Sequence, residues 1–133
     1  MRWDRARILG RVPRWSAVGA AAAILLACGP TVEDAVPNHL QGRWITSEPK
    51  YQDRYFEIQP DRLIWGVGEF ALDAHPIDKI ESQPQPAGKI RYWLHYTEIE
   101  GYPNALEIEV CLVPKAELRF VNRPEVWTRA PPR

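Results

Sequence analysis

The side chains suited to proton transfer, nucleophilic attack or metal ligation are His39, His75, His95, Ser16, Ser47, Ser82 and Cys111, and their spacing assembles none of these. The histidines fall in three separate segments without an HxH or HExxH pattern, so metal binding has no motif behind it. No serine stands in a G-x-S-x-G context. One acid–base couple can be drawn. A turn centred near residue 102, in Glu100-Gly101-Tyr102-Pro103, sets His95 opposite Glu109, Thr97 opposite Glu107 and Trp93 opposite Cys111. A cross-strand His–Glu pair is ordinarily a solvated contact worth about 0.2–1 kcal/mol. Without a nucleophile or a metal it makes no site. The sequence therefore predicts no catalytic residue, no metal ligand and no cofactor. Cys111, with no basic neighbour in sequence to lower its pKa, reads as an inert half-buried thiol.

The segments that carry these residues are short alternating runs broken by turn residues. Strands are predicted over 42–46, 53–59 and 63–65, more weakly over 69–73 and 77–82, and again over 116–121 and 125–129. The strongest pair is 89–98 with 104–113. It puts Ile90, Tyr92, Leu94 and Tyr96 on one face of the first run and Leu106, Ile108, Val110 and Leu112 on one face of the second. Period-two alternation on both sides of a Gly/Pro turn is a hairpin. Gly66 and Gly68 mark a bulge or tight bend, and QPQPAG between Ser82 and Lys89 reads as a loop. No helix-period segment follows residue 38. The fold expected is all-β: a small antiparallel meander of about eight strands closing into a barrel or barrel-like sandwich.

Charge divides the chain. Residues 1–27 hold five arginines against Asp4, whereas the remainder has 12 basic and 16 acidic residues. An acidic body without a basic stripe argues against nucleic acid as a partner. The basic start is followed by the apolar run Ala17–Ala27. That run is shorter than the roughly 20 residues a membrane helix needs and has the layout of a secretory signal. Leu25-Leu26-Ala27-Cys28 then resembles the lipobox of bacterial lipoproteins. The resemblance implies cleavage before Cys28, diacylglycerol on its sulfur and often a further acyl chain on the new amino terminus. Two chains suffice for stable anchoring, where one gives only marginal binding. By similarity to enteric lipoproteins, Gly29 in place of Asp implies an outer-membrane destination facing the periplasm in an organism with two membranes. If Cys28 is committed to the lipid, Cys111 has no disulfide partner. The expected organisation is a signal peptide over 1–27, a lipidated cysteine and flexible tether over 28–38, a β domain over 39–129 and an unpaired tail over 130–133.

The aromatic residues carry the remaining information. Trp44, Trp65, Trp93 and Trp127 sit on predicted strands with Tyr51, Tyr55, Tyr92, Tyr96, Tyr102, Phe56, Phe70 and Phe120. They either fill a core or line a cavity. Leu40-Gln41-Gly42-Arg43-Trp44, with Arg119 or Arg129 late in the chain, resembles the lipocalin/calycin pattern, in which a Gly-x-Trp opens the barrel and a late basic residue packs over the tryptophan. The expected function is a non-enzymatic, lipid-anchored envelope protein that binds another envelope protein or a glycan. The lipocalin resemblance implies an alternative, a carrier of a small apolar ligand lined by Trp44, Tyr92, Leu94, Tyr96, Ile108 and Val110. A third reading, inhibition of an envelope-attacking enzyme, follows from similarity in size and anchor to the small lipid-anchored barrels that block lysozyme.

Overall fold

A computed structural model describes residues 29–132. The described chain is all-β, with two single-turn 3-10 segments at Pro49–Tyr51 and Pro86–Gly88. In chain order the strands are β1 (Thr31–Glu33), β2 (Gly42–Ile45), β3 (Arg54–Ile58), β4 (Arg62–Val67), β5 (Phe70–Pro84), β6 (Lys89–Thr97), β7 (Pro103–Cys111), β8 (Glu117–Phe120) and β9 (Trp127–Arg129). Strands β2 to β9 form an antiparallel meander. β9 pairs back onto β2, and β5 with β6, so eight strands close a barrel and leave it no open edge. β1 lies outside this ring, on β5 at Ile80–Ser82.

Alternation along each strand supplies the core. Trp44, Phe56, Ile58, Leu63, Leu94, Ile108, Val110 and Leu118 are fully buried, with Ile80, Tyr92 and Trp127 nearly so. At Gly66 the pairing of β4 with β5 shifts register, and a Cβ placed there would overlap the ring of Tyr55. Glycine is required by that close approach, the bulge expected from the sequence.

Four local expectations are corrected. The β6–β7 turn is centred two residues earlier than expected: the Glu98 N–H donates to the Tyr102 carbonyl at 2.9 Å and the Gly101 N–H to the Glu98 carbonyl at 2.8 Å. Gly101 adopts φ +86, open to glycine without strain. His95 therefore faces Ala105, Trp93 faces Glu107 and Thr97 faces Pro103. The slip is an even number of residues, so every side chain keeps its face. The two weak strands expected over 69–73 and 77–82 are one 15-residue strand, irregular between Ile77 and Lys79. Gln83 and Pro84, read as loop, pair with Arg91 and Ile90.

The remaining correction concerns the termini of the body. Within the segment read as a flexible tether, Thr31–Glu33 forms β1 and Val36 is 6% exposed in the core. Cys28 and the signal segment lie outside the described residues. In the tail, the Ala130 N–H still donates to the Arg43 carbonyl at 2.8 Å.

Candidate functional site

The two ends of the barrel are built differently. At the end where β2 starts and β9 finishes, residues 36–40 fold across the opening. The Leu40 N–H donates to the Pro37 carbonyl at 3.0 Å, and the Trp44 indole N–H donates to the Leu40 carbonyl at 2.9 Å. Leu40 is fully buried as a result. The Arg129 guanidinium lies over the Trp44 ring, 5.4 Å from its centroid, and donates to the His39 carbonyl. Of the two late arginines considered from the sequence, Arg129 is the one that meets Trp44. His39 Nε2 bonds the Tyr92 hydroxyl at 2.7 Å, and the Ser82 hydroxyl donates to the Glu33 carboxylate. Burial, then the neighbouring Arg129 charge, holds the His39 pKa below its usual value. Burial, reinforced by Glu33, pushes the Tyr92 phenol up to about 12.

The opposite end is open. A cavity of about 480 Å³ lies there, in the range of small-molecule sites. Its apolar wall is Trp65 and Val67 from β4, Leu106 from β7, Phe120 from β8 and Trp127 from β9, with Tyr51 and Leu72 at the mouth. Phe56 ties these aromatics together. Its ring centroid is 5.6 Å from Trp65, 5.2 Å from Phe120 and 5.1 Å from Trp127, and 6.4 Å from Trp44 on the closed side.

Four charged residues complete the wall: Arg54, Glu107, Arg123 and Glu125. Arg123 Nη1 donates to the Tyr51 hydroxyl at 3.3 Å. Glu107 is 3.5 Å from Arg91, which lies on the outer face of β6. Glu125 is buried, at 4% exposure, with one carboxylate oxygen 2.5 Å from Lys50. That bond, then the residue's own backbone N–H, holds the Glu125 carboxyl below its usual range and raises the Lys50 pKa. The second carboxylate oxygen of Glu125 and the indole N–H of Trp127 have no hydrogen-bond partner. Buried polar groups are almost always paired, and these two atoms are closed off from solvent behind the wall.

The six ligand-lining candidates from the sequence lie elsewhere. Trp44, Tyr92, Leu94, Ile108 and Val110 are packed in the core, Tyr96 is half-buried beside His75, and none of the six is on the cavity wall. The expected His95–Glu109 couple does not form. His95 Nε2 is 2.7 Å from Glu81, which Lys79 also meets at 3.2 Å, while Glu109 is held by Lys89 and Arg91. The His95 bond, then that of Lys79, holds Glu81 below the usual carboxylate range. Both sets face outward on the sheet. Cys111 is a free, half-buried thiol whose Sγ is 3.3 Å from the Val113 carbonyl. Among the described residues no group of His, Cys, Asp and Glu side chains could hold a metal ion.

Fold and cavity together define a closed eight-stranded up-and-down barrel, plugged at one end and open to an aromatic-lined cavity at the other. Scanned against family models, curated proteins and solved structures, the chain matches none.

Proposed function

We propose that this chain is a lipid-anchored barrel that binds a small, largely apolar ligand in its open-end cavity. The observation that carries the reading is the 480 Å³ cavity walled by Trp65, Phe120 and Trp127. A solvent-open concavity of this size, lined mostly by apolar and aromatic side chains with a few polar groups at its mouth, is the usual form of a small-molecule site. The lipocalin-like arrangement of Trp44 under Arg129 supports the same reading. Calorimetric titration with the uncharged aromatic probe biphenyl tests it. Binding is expected for the natural sequence and its loss is expected in Leu106→Phe, which fills the cavity. Absence of binding to the natural sequence, or undiminished binding to the filled variant, overturns the reading.

The anchor is the second part of the proposal. Cys28 is three residues before Thr31, hence within about 11 Å of it along any chain path. Thr31 pairs with Ser82 towards the plugged end of β5. A diacylglyceryl group on Cys28 sets the plugged end towards the lipid and the mouth away from it. Mass spectrometry of the mature amino terminus tests this, and an unmodified Met1 or a bare Cys28 overturns it.

A second reading, docking of another envelope protein, has its own support. Ile99 and Tyr102 in the β6–β7 turn are 80% and 63% exposed. Exposed aromatic and aliphatic side chains on a loop are common interface anchors.

A further inference from the structure

We infer that the ligand of the open-end cavity is an aromatic carboxylate, with its anionic head at Arg54 and Arg123 and its flat body against Trp65, Phe120 and Trp127. This rests on the small-ligand reading above. Charge around the mouth is uneven. The two acids of the wall are each met by a base that is not on it, Glu107 by Arg91 and Glu125 by Lys50. The two arginines of the wall have no such match. Arg123 is bonded to the neutral Tyr51 hydroxyl and shares the field of Glu125, and the exposed Arg54 guanidinium makes no ion pair or side-chain hydrogen bond among the described residues. An entering anion thus finds guanidinium donors unspent, in the fork geometry that matches a carboxylate. An entering cation finds acids already neutralised.

The body of the ligand is specified by the wall. Phe120 stands edge-on to Trp127 at 81° and 5.6 Å, and lies nearly parallel to Trp65 at 27° and 6.0 Å. Aromatic rings offer each other offset and edge-to-face contacts that a chain of methylenes does not match in geometry.

Calorimetric titration with three probes separates the elements of the inference: biphenyl-4-carboxylate, its methyl ester and the biphenyl-4-trimethylammonium ion. The acid should bind tightest. The ester should be weaker than the acid by on the order of tenfold, the factor for about one net charge-assisted hydrogen bond. The Arg54→Gln, Arg123→Gln double variant should bring the acid down to the affinity of the ester while leaving the ester unchanged. An ester as tight as the acid, or a tighter ammonium ion, overturns the anionic head and leaves the cavity reading standing. Binding of none of the three overturns this inference and the small-ligand reading together.

Discussion

The plugged and open ends of the barrel use the same kinds of residue for opposite ends. Each has tryptophan against phenylalanine, an arginine and a carboxylate. At the plugged end the polar atoms are answered. The Trp44 indole N–H reaches Leu40, Arg129 reaches His39, His39 reaches Tyr92, and Ser82 reaches Glu33. At the open end the Trp127 indole N–H and one oxygen of Glu125 have nothing to bond. The contrast comes from a single segment. Residues 36–40 fold across one opening and bring a carbonyl to each indole or guanidinium they cover. No equivalent segment crosses the other among the described residues. Polar atoms are answered where a segment of chain crosses the opening, and some are left unpaired where none does.

This division is most easily broken at Trp44. Truncation of a fully buried tryptophan usually costs about 3–5 kcal/mol. Trp44→Ala should reach that range in urea unfolding, because the substitution removes the floor of the plug and strands the Leu40 carbonyl. Phe120 borders the cavity and is half-buried. Phe120→Ala should cost about 1–2 kcal/mol, part of the transfer energy of a phenylalanine side chain, since no new void opens in packed core. Similar costs for the two variants would show that the ends do not differ in packing as described.

How this architecture was legible is itself a matter of parity. Alternation alone fixes which residues of the 89–98 and 104–113 runs face inward, and a register error of an even number of residues leaves that assignment intact. The barrel was therefore readable while the His95 partner was not, since cross-strand partners depend on where the turn closes, and Gly101 rather than Pro103 decides it. The cavity was half readable. Trp65, Phe120 and Trp127 were among the aromatics that could line one, but inward-facing residues at mid-strand and at the rim look alike in sequence. Trp44 and Tyr92 read as ligand-lining because nothing in GPTVEDAVPN signals that Val36 and its neighbours turn back over the barrel. Glu125 gave no signal either: a carboxylate after a proline reads as exposed, and its burial depends on Lys50, 75 positions away in sequence.

Arg129 provides a finer comparison. It is an exposed side chain whose guanidinium covers Trp44, and a cation–π contact of that kind is worth about 0.5–1 kcal/mol. Arg129→Gln should lower stability by about that amount and increase exchange of the Trp44 indole proton in NMR spectra. The Trp127 indole proton should be unaffected. If both protons respond equally, the two ends are coupled through Phe56 and do not behave as separate regions.

The smallest expected effect distinguishes the ends by pH. His39 at the plug has its pKa held below 6.5 by burial and Arg129, with Glu33 opposing. The unfolded chain therefore takes up a proton more readily than the folded one. The contribution to stability is complete above pH 6.5 and is lost as pH falls through the lowered folded value. Glu125 at the open end and Glu81 on the outer sheet have pKa values held below 4.5. Their contribution is present above pH 4.5 and disappears only as pH falls through their lower folded values. Mild acid should thus loosen the plug before it touches the Lys50–Glu125 pair. After correction for the base-catalysed intrinsic rate, protection of the Leu40 amide should fall between about pH 7.5 and 5.5 while that of Val126 stays level, and His39→Gln should flatten the first response. Equal loss of protection at both positions, or an unchanged response in the variant, would assign the acid sensitivity to some group other than the histidine of the plug.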